Sequence, residues 1–234
     1  MTILKSRPGH SGGSRDALPL ETGDHLDRAT FHERYKATPE HVRAQLIEGI
    51  VYMSSPAYRR HGASTAIVVG WLVAYAAATP GLEVLDNTTV ILGDDAEPQP
   101  DACLLIRAEH GGHTRVDEED IVVGPPELIV EVASSSASID LHAKKRDYEK
   151  AGVLEYVVPL VRQGRIVWFG RRDGGFQELQ PGEDGPFRSE VFPGLWLEPT
   201  ALLNGDVTAL LDVLQRGLQT AEHAAFVRRL RAKP

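Results

Sequence analysis

Apolar and polar positions along this chain fall into short blocks whose order can be read element by element. "DRATFHERYKATPE" reads as a short helix capped by Asp27 or Thr30 and stopped by Pro39. In "VRAQLIEGIVYMSS", two runs with β-branched residues flank Glu48-Gly49, a pair suited to closing a hairpin. "HGASTAIVVGWLVAYAAATPG" is apolar on most faces and ends at Pro80-Gly81, which predicts a helix packed in the core. "LEVLDNTTVILG" reads as one or two strands, "DDAEPQP" as a loop, and "DACLLIR" as a short apolar strand opened by Asp101.

"AEHGGHTRVDEEDIVVGPP" is a polar excursion, and "ELIVEVAS" is a strand with an acid, Glu131, near its end. "SIDLHAKKRDYEKAG" predicts a helix with Ser138 or Asp140 near its start and Gly152 at its end. "VLEYVVPL", "GRIVWFG" and "GFQELQ" follow as strands separated by glycine turns. Residues 206–234 predict one long amphipathic helix with a basic tip. Residues 1–22 are rich in Gly, Ser and charge and lack the apolar run of a signal peptide, so a disordered tail is expected there. The succession predicts a mixed α/β (α+β) domain around a central sheet flanked by helices.

A length of 234 residues suits one domain plus tails, and 42% apolar residues can fill a sizeable core. The net charge of −8 weighs against a sequence-independent nucleic-acid coat. A nuclease stays open, because only a local groove must be positive. The single cysteine, Cys103, rules out an intrachain disulfide and a cysteine-based zinc site. A cytoplasmic setting fits it best, and its apolar neighbours mark it as a small buried hydrophobe. The longest apolar stretch, about 14 to 16 residues between Thr65 and Thr79, is short for a bilayer span, so no membrane partner is expected.

An acid at the end of a core strand is costly unless it is paired, hydrogen-bonded or bound to a metal. Asp101 opens one strand, Glu131 closes another 30 residues later, and Lys144 lies 13 residues further on. If the two strands are neighbours, both carboxylates can converge on one hard cation such as Mg²⁺ or Mn²⁺. A nearby ammonium can serve the attacking water and offset phosphate charge. Spacing alone leaves bland readings beside this one. Asp101 could cap a turn, Glu131 could be salt-bridged to a helix lysine, and Lys144 could lie on a solvated face with Lys145, Arg146 and Lys150. His110 and His113 have only loose metal-like spacing, and Arg59 and Arg60 read as a solvated cluster or a positive rim. Tyr148 and Tyr156 read as packing residues, and Trp71, Trp168 and Trp196 as core or interface.

From about Thr30 to Leu203 the chain resembles the Uma-two restriction-endonuclease family. The matching pieces are "LIEGIVYMS", "SPAYRRHG", "PQPDACLL", "GPPELIVEVASSSAS", "DLHAKKRDYEKAGVLEY" and "FPGLWL", in that order. The resemblance implies a PD-(D/E)xK, restriction-endonuclease-like core over residues 23–205, with Asp101 as the motif aspartate and Glu131 as the second acid. The usual lysine position, two after the second acid, is Ala133 here. The family pattern points instead to Lys144 on the following helix, matched together with Asp140 and Tyr148. Lys145 is the rival, since one residue along a helix turns the side chain by about 100°.

Gln45 stands where the family often carries an acid, so it can ligate or accept a hydrogen bond but brings no charge. Glu48, close by, should fall in the turn or on the opposite strand face. The run Ser134-Ser135-Ser136-Ala137 lacks the family's proline. His61 matches a family histidine at the start of the long helix, with a phosphate contact and a cap as its two readings. The resemblance implies a Mg²⁺- or Mn²⁺-dependent endonuclease acting on DNA as a homodimer, with Asp101, Glu131 and Lys144 catalytic. Gln45, His61 and Lys145 are the accessory candidates. A catalytically silent relative that binds nucleic acid or protein is the alternative, and an enzyme acting on a smaller phosphate ester is a third.

Overall fold

The computed structural model describes residues 18–54 and 58–232. The tail expected over residues 1–22 lies outside them as far as residue 17. From Leu20 onward the chain joins the fold. Leu20 is buried with Phe31, Leu46 and Val51, and Gly23 N–H donates to the Val51 carbonyl.

In chain order the elements are α1 (Arg28–Lys36), β1 (Ala44–Ile47), β2 (Ile50–Met53), α2 (Arg59–Ala78), β3 (Leu82–Asp86), β4 (Val90–Ile91) and β5 (Ala102–Ile106). Then come β6 (Arg115–Val116), β7 (Val122–Val123), β8 (Leu128–Val130), α3 (Ala137–Ile139), a π-helical turn Asp140–Lys144, and α4 (Lys145–Ala151). The rest are β9 (Glu155–Leu160), β10 (Arg165–Arg172), β11 (Gly175–Leu179), β12 (Phe187–Arg188), β13 (Trp196–Leu197), α5 (Pro199–Asn204), α6 (Val207–Leu218) and α7 (Ala221–Arg231).

A six-stranded mixed sheet in the order β11-β10-β9-β8-β5-β3 forms the centre. Only β8 and β9 pair in parallel within it. A parallel pair needs a crossover rather than a hairpin, and the helical segment 137–151 supplies it.

Strand alternation divides the core. Ala102, Leu104, Leu128, Val130 and Val157 face one side, toward α2, α6 and α7. Cys103, Ile129, Tyr156 and Val158 face the other, with Tyr148 of α4. Every second residue shares a face, so Asp101 and Glu131 follow Cys103 and Ile129 onto the α4 side.

Three local features position the site. Asp27 caps α1, its Oδ1 accepting from Thr30 N–H at 2.8 Å. The β1–β2 turn puts Glu48 and Gly49 at φ 50° and 73°, the left-handed pair a tight hairpin turn requires. Helix α2 lays Val68, Trp71, Leu72 and Tyr75 on the sheet, and Trp71 Nε1–H donates to the Trp196 carbonyl.

The expectation that α2 is packed in the core holds for one face only. Gly62, Ala63, Ala66, Gly70, Val73 and Ala77 are exposed, and small side chains there bury little by packing. By length and composition α2 could cross a membrane, but its large side chains are committed to the sheet.

The single helix expected over residues 206–234 is instead two. Helix α6 ends at Leu218, and Thr220 restarts the chain as the cap of α7 by accepting from His223 N–H. The break lets Leu210, Leu214, Phe226 and Leu230 all reach the same core cluster.

Candidate active site

β5 and β8 run antiparallel, with Ala102 opposite Val130 and Cys103 opposite Ile129. One further step of that register sets Asp101 across from Glu131. Directly opposed residues have Cβ atoms roughly 4.5–5.5 Å apart. The two acids, distant in sequence, are thus cross-strand neighbours on the face covered by the 137–151 segment.

Each acid has specific partners. Asp101 Oδ2 accepts from Val132 N–H at 2.7 Å, and Oδ1 lies 3.3 Å from His61 Nε2. The other ring nitrogen of His61, Nδ1, is 3.0 Å from the Val132 carbonyl. The carboxylate of Asp101 therefore raises the pKa of His61, against the opposing effect of burial. Glu131 Oε1 accepts from Lys144 Nζ at 2.7 Å and from the Tyr148 hydroxyl at 2.6 Å. Among the described residues both of these bonds fall on Oε1 and none on Oε2, and Glu131 lines an open cleft.

Burial pushes the Glu131 carboxyl up to about 7, with Lys144 pulling the other way and Asp101 and Asp140 adding to the rise. Burial alone would lower the Lys144 ammonium, but Glu131 and Asp140 outweigh it and hold the amine charged.

The cleft holds about 590 Å³ and is lined by Arg43, Gln45, Tyr52, His61, Asp101, Glu131 and Lys144, among others. The structure thus gathers five of the six residues singled out from sequence. Gln45 sits at the rim, its Oε1 accepting from Gln99 N–H at 3.4 Å. The sixth, Lys145, leaves the cleft: its ammonium lies 4.8 Å over the Phe169 ring.

Glu48 occupies the hairpin turn and pairs with Arg146 at 2.6 and 2.8 Å. His110 Nδ1–H donates to the Leu230 carbonyl, while His113 N–H donates to buried Glu127, so the two histidines serve different partners.

Two residues not singled out as site candidates also belong to it. Asp140 is buried with Oδ1 3.8 Å from Lys144 Nζ and Oδ2 accepting from Ser136 Oγ at 2.5 Å. Tyr148 is buried against Tyr156 in an edge-to-face pair 5.0 Å apart. Asp140, Lys144 and Tyr148 recur every four residues, the spacing of one helix face, and that stripe was the available signal.

Among the described residues no three His, Cys, Asp or Glu side chains converge as a metal cage. Two hard carboxylates on an open cleft fit Mg²⁺ or Mn²⁺ better than zinc, because Mg²⁺ usually takes one or two protein carboxylates and keeps several waters.

Among solved structures, the fold is similar to a crystal structure described as a putative nuclease belonging to DUF820 from Anabaena variabilis. The TM-score is 0.57 at 13% identity, covering 74% of this chain and 96% of that one. The two share a fold, a mixed sheet flanked by helices. Residues 28–201 match the Uma2 family, described as "Putative restriction endonuclease", and the chain belongs to that family. A search of curated proteins finds no match.

Proposed function

We propose that this chain is a divalent-metal-dependent endonuclease that hydrolyses phosphodiester bonds in DNA. The observation that carries the reading is the cross-strand apposition of Asp101 and Glu131 with Lys144 paired to the second acid. Asp101 Oδ1 and Glu131 Oε2 are the oxygens that would hold Mg²⁺ or Mn²⁺. When bound, such an ion supplies Lewis-acid polarisation of the phosphoryl oxygen and a more acidic water.

Lys144 keeps its proton between two carboxylates, so it acts by charge and position rather than as a base. It fixes Glu131 and offsets negative charge as the phosphorus takes on the water oxygen and loses one ester oxygen. The proton of the water ends on the departing oxygen. Arg43 and His61 border the cleft that must admit a polyanion into a chain of net charge −8. A homodimer in the cytoplasm, with one cleft for each strand, completes the reading.

Calorimetric titration with Mn²⁺ tests it. Wild-type protein should bind Mn²⁺ and nick plasmid DNA in its presence. Asp101→Asn keeps an oxygen for Val132 N–H and should preserve the fold while losing both activities. A folded wild type that takes up no Mn²⁺ and cuts no DNA would sink the proposal in favour of a silent binding module.

A further inference from the structure

We infer that Tyr148 is a positioning residue of the site: its hydroxyl holds Glu131 in the orientation that presents Oε2 to the cleft. This rests on the metal-dependent nuclease reading above. Two donors, Lys144 Nζ at 2.7 Å and Tyr148 Oη at 2.6 Å, converge on the same oxygen, Oε1. Glu131 is buried, and among the described residues both hydrogen bonds to its side chain fall on Oε1 and none on Oε2. A carboxylate held by one donor can swing about its Cγ–Cδ bond and exchange its oxygens. Two donors from different turns of the 140–151 segment resist that exchange.

The phenol is itself fixed. Tyr148 is buried edge-to-face on Tyr156, with the rings at 74°. Tyr156 in turn donates to the Asp140 carbonyl at 3.0 Å, where the π-helical turn begins. π-turns often accompany functional sites, and here the turn starts at the residue that flanks Lys144. The two tyrosines look alike in sequence, yet Tyr148 bonds a carboxylate of the cleft while Tyr156 bonds only a backbone carbonyl. Partners that orient ligating carboxylates govern metal affinity without touching the metal, and their loss typically costs 10–100-fold.

The test compares wild type, Tyr148→Phe and Tyr156→Phe by Mn²⁺ calorimetry, well below the unfolding temperature of each metal-free protein. The phenylalanine keeps the ring pair and removes only the hydroxyl. The expected result is Mn²⁺ affinity about 10–100-fold weaker in Tyr148→Phe and within threefold of wild type in Tyr156→Phe. Equal losses in both variants would mark a merely structural role and overturn the inference, as would an unchanged Tyr148→Phe. Failure of wild type itself to bind Mn²⁺ would instead overturn the parent reading. Should Tyr148→Phe not fold, the wild-type Tyr148 hydroxyl proton can be followed by NMR on addition of Mg²⁺. A shift supports the inference, and none overturns it.

Discussion

Lys144 Nζ lies 2.7 Å from Glu131 Oε1, and both side chains are almost completely enclosed. Such a pair is stable only as a pair, because each charge would be far better solvated in water than alone in the core. Lys144→Met should therefore destabilise the protein by roughly 3–5 kcal/mol, by leaving Glu131 without its counter-charge. Adding Glu131→Gln should recover much of that loss, since glutamine still accepts from Tyr148 and carries no charge. Urea unfolding of the two singles and the double measures this directly. Strictly additive losses would show that the two groups do not depend on each other.

The adjacent lysines separate a catalytic from a packing role. Lys144 faces two carboxylates in the cleft, whereas Lys145 sits over Phe169. Loss of one pre-positioned donor to charge developing in a transition state typically costs about 10²–10³ in kcat. Lys144→Met should lose that much DNA cleavage, beyond what its stability change explains at low temperature. Lys145→Met should keep wild-type turnover and lose only the cation–π contribution, roughly 0.5–1 kcal/mol. Comparable rates in both variants would remove Lys144 from the mechanism.

Much of this arrangement was legible in the sequence because acids in apolar strands are conspicuous. Asp101 and Glu131 interrupt "PQPDACLL" and "LIVEVAS", and period-two alternation alone sets each on a definite face. What the sequence does not contain is the pairing of β5 with β8, an antiparallel register between segments about 30 residues apart. That register turns two isolated acids into neighbours. Lys144 was separated from Lys145 by the family pattern, and the structure supplies the physical reason: the turn 140–144 aims one inward, while Phe169 takes the other.

Local sequence places Ser138 or Asp140 near a helix start, and the family pattern matches Asp140 together with Lys144 and Tyr148. Asp140 is buried, with Ser136 on its carboxylate from four residues away and Tyr156 on its carbonyl from sixteen, and the second contact lies outside any local window. The α6–α7 break was likewise hidden. The local sign is a single residue, the capping Thr220, and the packing of Phe226 and Leu230 on the core goes with the break.

Gln45 offers a gain-of-function test. It lines the cleft with Asp101 and Glu131, and its Oε1 accepts a long bond from Gln99 N–H. Affinity for hard cations rises with the number of charged oxygen ligands. Gln45→Glu keeps an oxygen at that position and adds a negative charge. Mn²⁺ should bind tighter by on the order of tenfold, about 1.4 kcal/mol. Calorimetry on the variant decides the matter. Weaker or equal binding would place Gln45 outside the cation's reach.

Glu155 makes the stability of the fold depend on pH, independently of the cleft. It is buried at the start of β9 and accepts from Ser189 Oγ, Glu190 N–H and Val191 N–H. Burial pushes its carboxyl up to about 7, despite those donors, against an ordinary 4.5. A group whose pKa is raised by folding favours the folded state when protonated. Its contribution is complete below about 4.5 and is lost as the pH rises through about 7. Glu131, also raised to about 7, acts in the same direction and window.

Unfolding free energy should therefore fall between pH 5 and pH 8. Glu155→Gln should flatten that fall by up to ~1.4 kcal/mol per pH unit, the contribution of one proton. The residual slope belongs to the other groups that folding raises, Glu131, Asp147 and His61 among them, and should shrink further when Glu131→Gln is added. Urea midpoints at pH 5, 6, 7 and 8 for the wild type and both variants provide the measurement. A wild-type stability that rises across this range would mean the donors around Glu155 outweigh its burial.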